Sequence, residues 1–235
     1  MKNLLLLTIL MALGYSAEYK AVVQPYEKRT ISSEVNGRIT KLNQADELKT
    51  IDEELMVIDN ELESIKLANL IIKAQSLKKQ LDVKTSHYER IKKLSGKSQY
   101  EKDRYLNEML TLKMQYQDAK NIVAELKDII AKKNLSVNNL YLKKLFVRKG
   151  EYVRAGTPLF EVEDHSKSRI TIYISRADLV DLEKKKILIN GSETHEYKIE
   201  KVATSADDKY LSLYRVELVK NSPSKFGEVL SVEVK

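Results

Sequence analysis

The sequence contains no cysteine, and only 3 of its 235 residues are proline and 7 are glycine. Without a thiol there is no disulfide, no thiolate metal site, no cysteine nucleophile and no lipoprotein acylation site, so no lipid anchor is expected. The few prolines and glycines are unevenly spread. No proline lies between Pro25 and Pro158, and Gly96 is the only glycine between Gly37 and Gly150. So long a stretch without helix breakers, rich in Leu, Lys, Glu, Gln and Ala, is expected to be helical. Long hydrophobic runs are also missing. The most apolar segment, Leu4 to Leu13, falls well short of the roughly twenty residues that span a bilayer.

Recognisable chemistry is absent as well. There is no G-x-S-x-G, Walker-type loop or H-E-x-x-H, and nothing in the pattern places two carboxylates in one cleft. His87, His165 and His195 are scattered with no metal-ligand spacing between them, which favours surface roles. Met56, Met109 and Met114 occupy apparent core or seam positions, so there is no methionine-rich metal segment. The expectation is a chain that is not an enzyme, with no catalytic residue, metal or cofactor.

The N-terminus carries an address. Lys2 is a positive start, Leu4 to Leu13 an apolar middle, and Gly14, Ser16 and Ala17 supply small residues. This is the pattern of a cleaved secretory signal over residues 1–17; a cut after Ser16 fits, and one after Ala17 nearly as well. The formal charge is +7, and residues 61–134 alone hold sixteen Lys and Arg against ten Asp and Glu. An exported chain rarely meets nucleic acid, and no binding motif accompanies the charge, so no nucleic-acid partner is expected.

The long helical stretch has internal symmetry. Leu67, Leu70, Ala74, Leu77, Leu81, Tyr88 and Ile91 follow alternating steps of three and four, interrupted only by Lys84. Tyr105, Met109, Leu112, Tyr116, Ala119, Val123, Leu126 and Ile130 repeat the pattern without a gap. Each is a heptad seam that buries one narrow stripe on a partner helix. The two seams mirror one another about residue 98, where Ser95-Gly96-Lys97-Ser98 offers reversal residues. An α-helical hairpin over 61–134 is expected, about 50 Å long. A single continuous helix that dimerises is the alternative, and Gly96 with the mirror symmetry favours the hairpin.

The flanks change period. Ile31, Val35, Gly37, Ile39 and Leu42 are strand-like, followed by short apolar pieces at Leu48, Ile51, Leu55, Val57 and Ile58. After the hairpin, Gly150 and Gly156 bracket β-branched and aromatic residues, as in short strands joined by turns. From Arg169 onward, Ile170, Ile172 and Ile174 alternate with polar residues, and further strands are expected at Ile187 to Ile189, Tyr197 to Val202, Leu211 to Val219 and Val229 to Val234. This spacing suggests a small barrel or sandwich.

Val35-Asn36-Gly37-Arg38-Ile39, together with Val147-x-x-Gly150-x-x-Val153-x-x-Gly156-Thr157-Pro158-Leu159-Phe160, resembles the two half-motifs of membrane fusion (periplasmic adaptor) proteins of tripartite efflux pumps, the HlyD-like family. The second half-motif is complete. The first is degraded, with Asp46-Glu47-Leu48 and Ile51-Asp52-Glu53-Glu54-Leu55 in place of the usual glycine-bearing turns. The resemblance implies an α+β fold: a signal peptide (1–17), an N-terminal strand and first lipoyl half (18–60), a coiled-coil hairpin (61–134), a second lipoyl half (135–165) and a small β-barrel (166–235). Gly37, Gly150 and Gly156 would be the lipoyl-motif turn glycines. A lipoate or biotin carrier is the rival for such a module, but neither Asp-Lys-Ala nor Met-Lys-Met occurs.

The resemblance further implies a periplasmic protein bridging an inner-membrane resistance-nodulation-division (RND) transporter to a TolC-type outer-membrane channel, assembled as a homo-oligomeric ring, a trimer or hexamer. At the hairpin tip the family engages the channel through an Arg, a Leu four residues on and a Ser beyond the turn; Arg90, Leu94 and Ser98 stand in that pattern, with Ser98 sooner than usual and Ser95 a competitor. Phe226-Gly227-Glu228-Val229-Leu230 resembles the close of the barrel, leaving little chain for a membrane-proximal domain, so transporter contact is expected to fall mainly to the barrel. An adaptor of a type I secretion system or ATP-driven exporter, and a periplasmic coiled-coil scaffold without transport role, are the alternatives.

Overall fold

The computed structural model describes residues 17–235; residues 1–16, which carry the expected signal peptide, lie outside the described residues. The chain mixes helix and strand and divides into two compact units, one of residues up to Arg29 with Val162–Lys235, the other Thr30–Glu161.

The second unit is built around two long helices. Strands β3 (Gly37–Leu42) and β4 (Thr50–Ile58) precede α1 (Glu61–Lys92) and α2 (Gln99–Lys133), and β5 (Asn134–Leu145) and β6 (Tyr152–Val153) follow. The strands lie in the order β5-β4-β3-β6, antiparallel throughout. The β4–β5 register shifts between Ile51 and Glu53 and again between Glu54 and Met56. Between Glu54 and Met56 the extra residue is Leu55 of β4, whereas between Ile51 and Glu53 it lies on β5, so a single bulge in β4 moves the side chains that follow it to the other face and breaks the alternation. Leu55 and Met56 are therefore adjacent and both buried. With Ile39, Ile58, Leu142, Leu159 and Phe160 they form the buried apolar centre of the unit.

Because β4 leads into α1, and α2 runs straight into β5, this one strand pair roots both helices. Asn60 Nδ2 donates to Asn134 Oδ1 at 2.6 Å across the root. Lys133, 7% exposed, donates to the Asp59 carbonyl and to Glu63 Oε1, each at 2.7 Å. A buried ammonium is costly unless its donors are met, and here carboxylate and carbonyl meet them.

Along the hairpin the two seams lie where the heptads put them. All the seam residues are half-buried or buried, and among the described helical apolar residues only Ile91 and Ala119 are fully buried. Two helices cover one stripe of each other and leave the rest wet, so the shaft derives its cohesion from a thin line of contacts. Lys84, the polar interruption of the first seam, reaches Glu108 Oε2 across the pair at 2.6 Å.

The first unit contains β1 (Glu18–Val22) and most of β2 (Gln24–Ser32), β7 (Pro158–Ser175, from Val162), the short helix α3 (Arg176–Leu179), and strands β8 (Ile187–Ile189), β9 (Ser192–Glu193), β10 (Tyr197–Val202), β11 (Leu213–Lys220) and β12 (Val229–Val234). One sheet has the order β1-β12-β8-β9; in the other, β11 pairs with both β10 and β7. Ile170, Ile172 and Ile174 point inward at every second position and meet Val216, Leu218, Leu230, Val232 and Val234 in one core. Residues 18–60 fall on both sides of the division between the units. The structure separates them: β1 pairs with β12 from Glu18↔Glu233 to Val22↔Val229, and Ala21 and Val23 fill the core of the unit made by 162–235. A strand of five residues has no local pattern that says which distant edge it completes.

Candidate binding site at the hairpin tip

Three residues expected at the tip are brought together around one short turn. Helix α1 ends at Lys92 with Lys93 N donating to Arg90 O and Leu94 N to Ile91 O, a tightened last turn. Arg90 is exposed on that turn, and Leu94 stands just beyond it, 49% exposed. Ile91, between them in sequence, is buried in the seam. The helix therefore turns one apolar residue inward and leaves a cation and a second apolar residue at the apex.

Ser98 also has a structural task. It is the N-cap of α2: its Oγ accepts from Glu101 N at 3.3 Å, and the Glu101 carboxylate accepts from Ser98 N at 3.2 Å. This reciprocal capping box satisfies two of the orphan amides at the helix start. Lys97 Nζ also donates to Glu101, at 2.8 Å. That ammonium, followed by the Ser98 amide, holds the Glu101 carboxyl below its ordinary value. The signal was present as Ser98-Gln-Tyr-Glu101, a Ser followed three residues later by Glu ahead of an apolar-periodic run. Ser95, the competitor, is exposed in the turn.

The glycines also sort differently from expectation. A Cβ placed on Gly96 meets nothing within 4 Å, and its φ is not in the left-handed region, so neither space nor backbone conformation demands glycine at the apex. Gly150 (φ 93°) and Gly156 (φ 86°) are turn glycines in the left-handed region. Gly37 is not a turn glycine. It opens β3, and a Cβ there would lie 2.5 Å from Ile58 Cγ2, so glycine is required by close packing.

Just below the apex the helices are cross-tied. Lys84 holds the Glu108 carboxyl below its ordinary value, Arg104 stands 3.9 Å from the same group, and the His87 and Tyr105 rings lie 4.9 Å apart. His165 contacts Glu163 at 3.0 Å and Phe226 at 4.4 Å in the other unit, so these two histidines have separate neighbours. Among the described residues no group of three His, Asp or Glu could hold a metal, and no helix is long and apolar enough to cross a membrane.

What this arrangement can do is present a stiff, capped, cation-bearing end to a surface. No family model matches the sequence and no curated protein matches it. Solved structures do. A protein designated an efflux transporter from Bacteroides eggerthii aligns over 93% of this chain and 68% of its own, at 14% identity and a TM-score of 0.67. The membrane fusion protein Spr0693 from Streptococcus pneumoniae aligns over 94% and 99%, at 10% identity and a TM-score of 0.66. MacA from Actinobacillus actinomycetemcomitans aligns over 94% and 78%, at 17% identity and a TM-score of 0.62. The chain has the fold of the membrane fusion, or periplasmic adaptor, proteins, the family its sequence resembles.

Proposed function

We propose that this chain is a periplasmic adaptor of a tripartite efflux pump, joining an inner-membrane transporter of the RND type to a TolC-type outer-membrane channel as a homo-oligomer. The observation that carries the reading is the capped hairpin apex, with Arg90 and Leu94 exposed one turn apart on a shaft about 50 Å long. An extended shaft with recognition side chains only at its end acts as a spacer that touches something distant. In this reading the strand order β5-β4-β3-β6 is the split lipoyl-like module that stacks between protomers, the remaining unit is the barrel facing the transporter, and a cleaved signal delivers the chain to the periplasm.

The chemistry at the apex suits a helical, acidic rim. Arg90 offers a planar donor fork that carboxylates and helix C-terminal carbonyls accept, and Leu94 offers apolar area for packing. The Ser98 hydroxyl is held in the capping box, so in this reading Ser98 contributes by fixing the direction of α2. Substituting Arg90→Glu or Leu94→Ala is expected to abolish tolerance to the exported compound and co-purification with the channel, while circular dichroism stays unchanged. A photo-cross-linker is best placed at Ser95 or Gly96, which leave the cap intact. Wild-type tolerance in a folded Arg90→Glu strain would sink the assignment.

A further inference from the structure

The rows that flank the seam on the two sides of the hairpin differ in charge, and those on one side hold no acid. In heptad terms each helix flanks its seam with two rows. On one side the facing rows are Ile71, Lys78, Thr85 and Lys92 from α1 and Leu106, Lys113, Lys120 and Lys127 from α2. On the other side they are Lys66, Lys73, Gln80 and His87 against Glu108, Gln115, Ile122 and Ile129. Such flanking positions select partners in a coiled coil, and opposite charges across them are the favourable choice. The first side instead carries five lysines and no carboxylate, and the antiparallel mirror sets Lys78 opposite Lys120.

A groove lies on this side. Ile71, Ala74, Tyr116 and Val123 form its apolar floor, and Lys78, Lys79, Lys120 and Lys127 stand along it, around a cavity of about 480 Å³. Lys78 pairs with Asp82 on its own helix, and Lys120 lies 5.8 Å from the Tyr116 ring centroid. Among the described residues, Lys79, Lys113, Lys120 and Lys127 make no ion pair.

We infer that this groove is a docking site for an acidic α-helix that carries a carboxylate at every seventh residue beside its apolar stripe. The period of the lysines argues for a helix. Lys113, Lys120 and Lys127 recur at about 10 Å intervals over about 21 Å, which a single-headed amphiphile would leave largely unmet and a third heptad helix would match. The half-buried seam argues the same way, because a third helix covers residues that two helices leave wet. The site lies along the shaft, apart from Arg90 and Leu94, and does not depend on the adaptor reading.

The test uses the full chain and two fluorescein-labelled 28-residue synthetic helices with Leu on the stripe, one with Glu and one with Lys at the flanking positions, followed by anisotropy. The Glu peptide is expected to bind at least tenfold more tightly than the Lys peptide. Lys120→Glu/Lys127→Glu should reverse that preference while its melting temperature stays equal or rises, since Lys78 then gains a partner. Lys66→Glu/Lys73→Glu, the same charge change on the opposite side, should leave it intact. Equal binding of both peptides, an equal loss in the two double variants, or full displacement of the Glu peptide by dodecanoate would overturn the proposal.

Discussion

Gly37 and Gly96 show how one residue type can carry opposite obligations. At Gly37 a methyl group would fall 2.5 Å from Ile58 Cγ2, inside the β3–β4 core. Gly37→Ala is therefore expected to lower stability by about 1–3 kcal/mol, read by urea titration, because the strand must shift to admit it. Gly96→Ala should leave the unfolding midpoint unchanged, since the apex has open space there. Glu63 adds a pH dependence at the same scale. The hydrogen bond from Lys133 holds its carboxyl below the ordinary value. A carboxyl depressed in the folded state contributes stability that is complete above its unfolded pKa and lost as pH falls through the folded one. Stability should thus decline on acidification below the ordinary glutamate range, and Glu63→Gln should flatten that part of the curve. Lys133→Ala, which leaves Glu63 and the Asp59 carbonyl without their donor, is expected to cost roughly 3 kcal/mol at neutral pH.

At the scale of the element, the hairpin is two helices held by one apolar stripe, a cap at its apex and polar ties near both ends. Helical propensity and the absence of proline make each helix; the seam, with the β4–β5 root, makes them antiparallel neighbours. Ser98→Ala removes the acceptor for the Glu101 amide, and a loss of about 1 kcal/mol is expected, with fraying confined to the first turn of α2. Amide exchange resolved along the helix checks this: accelerated exchange near Glu101 and unchanged exchange near Ala119 is the expected pattern. Uniform acceleration would mean that the cap holds the whole reversal together. The heptad seams, the reversal and the capping-box spacing could all be read from the sequence, because each is local: a 3.5-residue period, turn-forming residues at its break, and a Ser three residues before a Glu. The Lys84–Glu108 tie could not, since it joins residues a turn out of mirror register through the reach of a long side chain.

At the scale of the molecule, the root of the hairpin decides what can be removed. The β4–β5 pair continues down to Val57↔Asn134, and Asn60 and Asn134 are already joined at 2.6 Å. Replacing residues 62–132 with a short turn is expected to leave the strand signals of both units in place by nuclear magnetic resonance and, in the adaptor reading, to abolish tolerance to the exported compound. Collapse of the remaining strands would show that the shaft, and not its root, organises them. The shaft's length is functional in the adaptor reading, and nothing in the packing of the strands requires it.

The mixed fold, the two long helices, their reversal near Ser95 to Ser98 and the alternating core strand at Ile170, Ile172 and Ile174 were determined by the sequence itself. Each follows from short-range periodicity and from the residues that break it. Tertiary structure alone decided three things. It paired Glu18–Val22 with Val229–Val234, because a five-residue strand completes whichever edge offers a matching register. It put a bulge into β4 at Leu55, which lets the adjacent Leu55 and Met56 both be buried. And it made Gly37 a residue of close approach, because the neighbour that forbids a side chain there, Ile58, is twenty-one positions away and meets it only when the strands pair.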